Sequence, residues 1–230
     1  MSKHIKRIAA PKTWKLLRKE NKFAVKPKSS HKEAHALPII TVLRDMLGYV
    51  DITAQAKKVM NQKEIMIDGK IVKDKKRGIG VMDVLSIKSL NEHYRILIDK
   101  KGKLCLKRIP ESESRLKICR IINKKISRGK KKQYGLHDGR TILAEENYNI
   151  GDSLLIEIPS QRIVEHFKLD KGVFVYVVDG KYRGVNGVVE EIKPKMKITV
   201  LKIKSDSATI ETLKSYVIIV GNEKPKITIY

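Results

Sequence analysis

Few groups in this 230-residue chain have the types and spacing to carry out chemistry. His31 and His35 lie four apart, which on a helix would place two metal ligands on one face. The run reads His-Lys-Glu-Ala-His rather than the His-Glu-x-x-His of zinc proteases. No further cysteine or acid follows at usable spacing, so the pair reads as surface or loop. His137-Asp138 has the form of an acid/base pair. Asp138-Gly139 is a turn signal, however, and no nucleophile or oxyanion loop accompanies it. Gly180, Gly184 and Gly187 punctuate a segment between two apolar runs. No Gly-Lys-Ser/Thr follows and no helix opens there, which argues against a nucleotide-phosphate loop. Cys105 and Cys119 are too far apart for a Cys-x-x-Cys site and read as small buried hydrophobes in a reducing compartment. The expectation is a protein that is not an enzyme, with no catalytic residue, no cofactor and no metal site.

What remains is positive charge. Lys and Arg number 50 against 25 Asp and Glu, giving a formal net charge of +25 and a pI near 10.0. Such an excess repels itself unless a polyanion neutralises it. Nucleic acid is the usual partner, because each phosphate contact releases counterions. An anionic membrane would need a strongly apolar helical face beside the basic one, and none is found. No apolar run reaches membrane-spanning length, and the N-terminus lacks the apolar core of a secretory signal. A Lys-rich start with Pro11 also argues against a transit peptide. Aromatics are only 5% of residues, so the core must be built from Ile, Val and Leu.

The elements that position these cations follow from pattern. Residues 1–37 form a basic N-terminal arm carrying Lys3, Lys6, Arg7, Lys12, Lys15 and Arg18. Pro11, Pro27 and Pro38 interrupt any long helix, and apolar residues are too sparse for a core, so the arm is expected to order on its partner. Trp14 could stack on a base or anchor the arm on the protein's own surface; a single tryptophan more often packs. Ile39, Val42, Leu43, Met46 and Leu47 have helical spacing, ended by Gly48. A second helix begins at Asp51 or Thr53 as cap, with Ala56, Val59 and Met60 inward and Lys57 and Lys58 on its flank or outer face. Ile65-Met66-Ile67 then enters an Asp68-Gly69 hairpin followed by Lys70. Lys73, Lys75, Lys76 and Arg77 form a basic loop before a returning strand over 81–87. Residues 91–168 read as a central β-rich domain, with a hairpin at Lys100-Lys101-Gly102. Its basic block is Arg128, Lys130, Lys131 and Lys132, and its turn holds His137, Gly139 and Arg140. Two strands flank the glycine-punctuated turn in 169–206, with Lys181, Tyr182 and Arg183 at its tip. Strands and a basic tail fill 207–230.

Two of these segments carry resemblances. Thr53-Ala54-Gln55-Ala56 through Ile65-Met66-Ile67-Asp68-Gly69-Lys70 is similar to a small helix-helix-hairpin RNA-binding domain first named for a small-subunit ribosomal protein. Asp68 stands where that family usually has Asn, Lys63 where Gly is common, and Thr53 where Arg often sits. Arg44-Asp45 matches a feature of its first helix. The strand–Asp179-Gly180-Lys181-Tyr182-Arg183-Gly184-Val185-Asn186-Gly187–strand segment is similar to the KOW motif, found in a small SH3-like barrel. Taken with the opening His4-Ile5-Lys6-Arg7-Ile8-Ala9-Ala10-Pro11-Lys12-Thr13-Trp14 and the Leu136-His137-Asp138-Gly139-Arg140-Thr141-Ile142 segment, the order of parts resembles the archaeal/eukaryotic-type S-four-e family of small-subunit ribosomal proteins. The compact length is of the archaeal type. The resemblance implies an α+β, mostly β, multidomain protein: a helix-helix-hairpin domain over 38–90, a central β domain over 91–168 and a KOW-bearing SH3-like barrel over 169–206. It implies a cytoplasmic, ribosome-bound structural role.

The expected partners are small-subunit ribosomal RNA and neighbouring ribosomal proteins, with no membrane and no obligate homo-oligomer. The candidate RNA contacts are Lys3, Lys6, Arg7, Lys12, Trp14, Lys15, Arg18, Lys57, Lys58, Lys70, Lys73, Lys75, Lys76, Arg77, Arg128, Lys130, Lys131, Lys132, His137, Arg140, Lys181, Tyr182 and Arg183. Gly69, Gly139, Gly180, Gly184 and Gly187 are the candidate structural glycines. Two rival readings are a free KOW-type RNA-binding regulator and an RNA-modifying enzyme such as a pseudouridine synthase. The latter needs a large catalytic domain with a placed Asp, for which the chain has no room.

Overall fold

The computed structural model describes residues 4–126, 131–196, 198–205 and 208–229. The chain divides into two compact units, one of Met1–Ile98 with Lys103–Arg115 and one of Asp99–Gly102 with Leu116–Tyr230. Both are dominated by antiparallel strands, as a core of Ile, Val and Leu favours. Among the described residues no helix is long and apolar enough to cross a membrane.

In the first unit, β1 (His4–Lys6) pairs with β2 (Phe23–Val25), and β3 (Ala36–Pro38) pairs with a later strand. The arm therefore pairs and packs within this unit, where its sequence had led to the expectation that it orders on its partner. Trp14 is 1% exposed, and Ala10, Ala24, Ala36 and Leu37 are buried with it. The reason is reach: the arm's few apolar residues find their core in the elements that follow. α1 (Ile39–Thr41) runs straight into a π-helical turn at Val42–Met46, and Gly48 leaves the helix with φ +68°. α2 (Thr53–Asn61) buries Ala56 and Met60. Its cap differs from expectation. Neither Asp51 nor Thr53 caps with its side chain; Ile52 holds the N-cap position, and the Gln55 side chain accepts from the backbone N–H groups of Asp51 (2.8 Å) and Ile52 (3.2 Å).

β4 (Ile65–Ile67), β5 (Lys70–Ile71), β6 (Gly78–Gly80), β7 (Val84–Ile87), β8 (Glu92–Ile98) and β9 (Leu104–Ile109) complete the unit. β6 pairs with β3, and the others form a five-stranded sheet in the order β5-β4-β7-β8-β9. A boundary after residue 90 would thus cut β8 and β9 from the sheet to which they are hydrogen-bonded. The Asp68-Gly69 turn has positive φ at both positions (+49° and +73°), as a two-residue hairpin turn of this hand requires.

The second unit holds two five-stranded sheets. The first contains β10 (Leu116–Ile126), β11 (Lys132–Leu136), β12 (Thr141–Ala144), β13 (Ser153–Glu157) and β14 (Ile163–Phe167), ordered β12-β11-β10-β13-β14. The second contains β15 (Phe174–Val177), β16 (Asn186–Lys195), β17 (Ile198–Lys204), β18 (Thr209–Leu213) and β19 (Val217–Gly221), ordered β18-β17-β16-β15-β19. Here too a boundary at 206 falls inside a sheet: β18 pairs with β17, and β19 returns to pair with β15. The sheets are joined by polar links from one to the other. Ser153 Oγ accepts from the backbone N–H of Ile219 at 3.0 Å, and the Arg120 guanidinium donates to the carbonyls of Ser215 and Val217.

Candidate nucleic-acid interface

Charge on the arm divides into two classes. Lys6, Lys12 and Lys15 are exposed. Arg7 is buried and its guanidinium donates to the carbonyl of Leu17 (2.8 Å) and to Asp45 (3.3 Å). Arg18 donates to the carbonyls of Arg7, Ile8, Ala10 and Pro11, closing the turn at Arg7–Ala9. Trp14 lies under its own unit, with Nε1 donating to the Glu33 carbonyl at 3.3 Å. These three residues hold the arm in place rather than facing outward. A base cannot stack on a ring with no exposed face, so Trp14 leaves the set of candidate contacts, and the buried Arg7 leaves with it; Arg18 stays half-buried. Lys3 lies outside the described residues, as do Arg128 and Lys130.

In the helix-hairpin region Lys57 and Lys58 point away from the Ala56/Met60 face and are exposed, as is Lys70 beyond the turn. Asp68, buried, accepts from the backbone N–H of Val84 at 2.9 Å, so it does structural work at the hairpin base. Lys63 adopts φ +60°. The left-handed conformation that a glycine would take freely is retained here by a lysine.

The basic loop is pinned from both sides. Lys28 Nζ pairs with Asp74 at 3.0 Å, and the Asp74 carboxylate accepts from the Lys76 N–H at 2.9 Å. That backbone bond, with Lys28, lowers the Asp74 pKa. The backbone carbonyls of Arg77 and Lys75 receive the N–H groups of Ile39 and Ile40. Lys73 and Arg77 are exposed, and Lys75 and Lys76 are half-buried. A groove beside this loop brings together His4, Phe23, Arg44, Lys75 and Lys76. No sequence pattern signals that grouping, because the residues come from four separate segments. Phe23 is 49% exposed there, with the Lys22 ammonium 5.5 Å from its ring centre. Of the His31/His35 pair, His31 Nε2 lies 3.1 Å from Asp83 Oδ1, and Asp83 also accepts from the Gly80 N–H.

The central sheet's turn is a structural cluster. Lys117 Nζ lies 2.9 Å from Asp138 Oδ2, with both side chains almost fully buried. Arg140 Nε approaches the same oxygen at 3.1 Å, and the Arg140 N–H donates to Oδ1 at 3.0 Å. Burial alone would push the Asp138 carboxyl up; the Lys117 ammonium, His137 and these hydrogen bonds overcome that and hold it at about 2. His137 accepts the Arg120 N–H on Nδ1 at 3.2 Å and donates its own N–H to the Arg120 carbonyl. His137, half-buried, therefore ties the turn to β10, one of the two roles its sequence position offered. Gly139 has φ +82°, the conformation the turn needs. Lys131 is exposed; Lys132 is half-buried and donates to the Glu145 carbonyl.

The glycine-punctuated loop closes on itself. Gly184 N–H donates to the Val177 carbonyl at 2.7 Å, and Val177 N–H to that of Val185 at 2.9 Å. Gly180 and Gly184 both have φ +83°. Gly187 is required for a different reason: a Cβ there would sit 2.2 Å from the Lys204 carbonyl oxygen on β17. The loop presents an exposed Lys181, its ammonium 5.5 Å from the centre of the half-buried Tyr182 ring, with Arg183 also half-buried.

The family described as Ribosomal family S4e matches residues 90–163, and the RS4NT (NUC023) domain matches residues 1–30. The chain is 37% identical to the small ribosomal subunit protein eS4 of Methanocella arvoryzae, covering 97% of this chain and 96% of that one. It is 38% identical to the eS4 of Methanocaldococcus jannaschii over the same shares. The crystal structure of the 30S ribosomal protein S4e from Thermoplasma acidophilum superposes with a TM-score of 0.73 at 26% identity, covering 85% of this chain and 99% of that one. A relationship that spans the arm, both units and the fold places this chain in the S4e family of ribosomal proteins.

Proposed function

We propose that this chain is a non-catalytic structural constituent of the small ribosomal subunit in the cytoplasm. It binds ribosomal RNA through several basic modules, alongside neighbouring ribosomal proteins. The observation that carries this reading is the distribution of unengaged charge. Lys12, Lys15, Lys57, Lys58, Lys73, Arg77, Lys131 and Lys181 are all exposed, and none forms an ion pair with another described residue. They come from the arm, from α2, from the loop before β6, from the β10–β11 connection and from the KOW-type loop. Meanwhile the cations that hold the fold, Arg7, Lys117 and Arg95, have buried side chains with acids beside them. Cations on several small modules set orientation and affinity without base readout. A-form RNA hides its base edges in a deep groove, so shape and 2′-hydroxyl contacts dominate on duplex regions. Linked weak sites then reinforce one another.

A salt titration of binding to small-subunit ribosomal RNA tests this. A many-phosphate interface loses on the order of 1,000-fold in affinity between 50 and 200 mM salt. A fall of less than about 10-fold would exclude it.

A further inference from the structure

The open face of the β10–β12 ribbon sets neutral polar and apolar side chains beside its cations. Strand register defines the face. Asn123, Gly135 and Thr141 stand opposite one another across the three strands, and Lys125, Gln133 and Leu143 form the next row on the same side. The row between them, Lys124, Tyr134 and Ile142, points to the other side, where Tyr134 and Ile142 are buried. The outward face encloses a cavity of about 330 Å³.

Its floor is flat because residue 135 is glycine. A Cβ there would lie 2.2 Å from Asn123 Oδ1, so the Asn123 carboxamide lies across the strand where a side chain would otherwise stand. The ladder is irregular between Ile121 and Asn123. Such a bulge re-aims a side chain; here it leaves Ile122 47% exposed at the cavity wall. Arg140 supplies the far wall, its guanidinium steadied by Asp138. Among the described residues, the side chains of Asn123, Lys125, Gln133 and Thr141 have no hydrogen-bond or ion-pair partner.

An apolar wall, a planar cation, two carboxamides and a lysine suit one ligand chemistry. A nucleobase needs planar surfaces for stacking and paired donor–acceptor groups for its edge. Its phosphate needs a cation nearby. Carboxamides and hydroxyls also bond phosphate oxygens, but two carboxamides with paired donors and acceptors, set beside an exposed apolar wall, have the groups that a base edge needs as well. We propose that this face binds a single unpaired RNA nucleotide, with the base between Ile122 and Arg140, its edge read by Asn123 and Gln133, and its phosphate held by Lys125. The proposal rests on the RNA-binding role argued above and deepens it: one module of this chain recognises single-stranded RNA, beyond duplex shape.

The test uses the full chain and fluorescence anisotropy with labelled dodecaribonucleotides, single-stranded oligoadenylate and oligouridylate, and a duplex of equal length. Two variants serve. Asn123→Ala with Gln133→Ala removes the edge contacts. Gly135→Val fills the floor with a residue that suits a strand and leaves charge unchanged; an unaltered circular dichroism melt establishes folding for each. The expected result is a loss of single-strand affinity of about 10-fold or more, from two base-edge contacts, with duplex affinity unchanged. Equal losses on both probes, or no loss on either by a folded variant, would overturn the proposal while leaving the ribosomal role intact. Failure of the unsubstituted protein to bind either probe would overturn both.

Discussion

Trp14 is the single tryptophan of the chain, and its burial makes the arm's state measurable in the free protein. The ring is 1% exposed and its Nε1–H is bonded to the Glu33 carbonyl. Neighbouring backbone locks the same segment: Thr13 Oγ1 donates to the Ala34 carbonyl at 2.6 Å, and the Leu104 N–H donates to the Thr13 carbonyl at 2.7 Å. A tryptophan buries ~150–250 Å². At ~25 cal/mol per Å² that is about 4–6 kcal/mol, an upper figure because the unfolded chain already hides part of this area. Truncation measured on buried tryptophans, about 3–5 kcal/mol, agrees. That is a large share of a domain's total stability of ~5–15 kcal/mol.

Trp14→Ala should therefore lower the urea midpoint of the first unit by the equivalent of about 3–5 kcal/mol. In the RNA-free protein, tryptophan emission should be blue-shifted relative to the urea-unfolded chain and shielded from acrylamide. It should red-shift in one cooperative step with the first unit's unfolding. With two units present, the tryptophan transition must be followed separately from the circular dichroism of the whole chain. Emission in the free protein matching that of the unfolded chain would refute the reasoning. So would a Trp14→Ala variant destabilised by less than about 1 kcal/mol. Either result would mean that the arm is ordered only by its partner.

Two further outcomes follow from the same geometry. Lys117→Met leaves the Asp138 carboxylate buried without its closest cation, and should destabilise the second unit at pH 7 by about 3–5 kcal/mol. In the native protein the Asp138 pKa is depressed from 3.8 to about 2, so its contribution, about 2 kcal/mol, is present above pH ~4 and is lost as pH falls toward 2. In the variant the carboxyl loses the Lys117 ammonium that most strongly offsets its burial, so it protonates more readily in acid than in the native protein. The gap between variant and native urea midpoints should therefore narrow from pH 7 to pH 3, and a constant gap would refute the ion-pair account. Lys63→Gly relieves a left-handed residue at φ +60°, whose strain is about 1–2 kcal/mol. Set against the extra chain entropy of glycine, it should stabilise the first unit by up to about 1 kcal/mol, read as a raised urea midpoint; a lowered midpoint would show that the lysine side chain contributes.

Several features were legible in the sequence because they are local. The helical runs over 39–47 and 53–61, the Asp68-Gly69 hairpin and the glycine-punctuated loop each depend on neighbours within a few residues. Periodicity and positive-φ turns leave their mark at that range. Net charge, which needs no geometry, already pointed to a polyanion. The arm's packing leaves less trace in the sequence, for the converse reason. Its apolar residues are too sparse to form a core alone, and nothing nearby shows that Trp14 packs beneath Glu33, or that Arg7 reaches Asp45, 38 positions away.

The sequence by itself determined that this chain is basic and mostly β, and the order of its motifs pointed to its family. Only the tertiary structure decided which cations remain available. Lysine and arginine look alike in a sequence whether they meet solvent or an acid, and the acid of Arg7, Arg95 or Lys117 lies 38, 18 or 21 residues off. The same holds for the β10–β12 face. Asn123, Gly135 and Thr141 become one surface through strand register alone, and register is settled by pairing and by which face the core must cover.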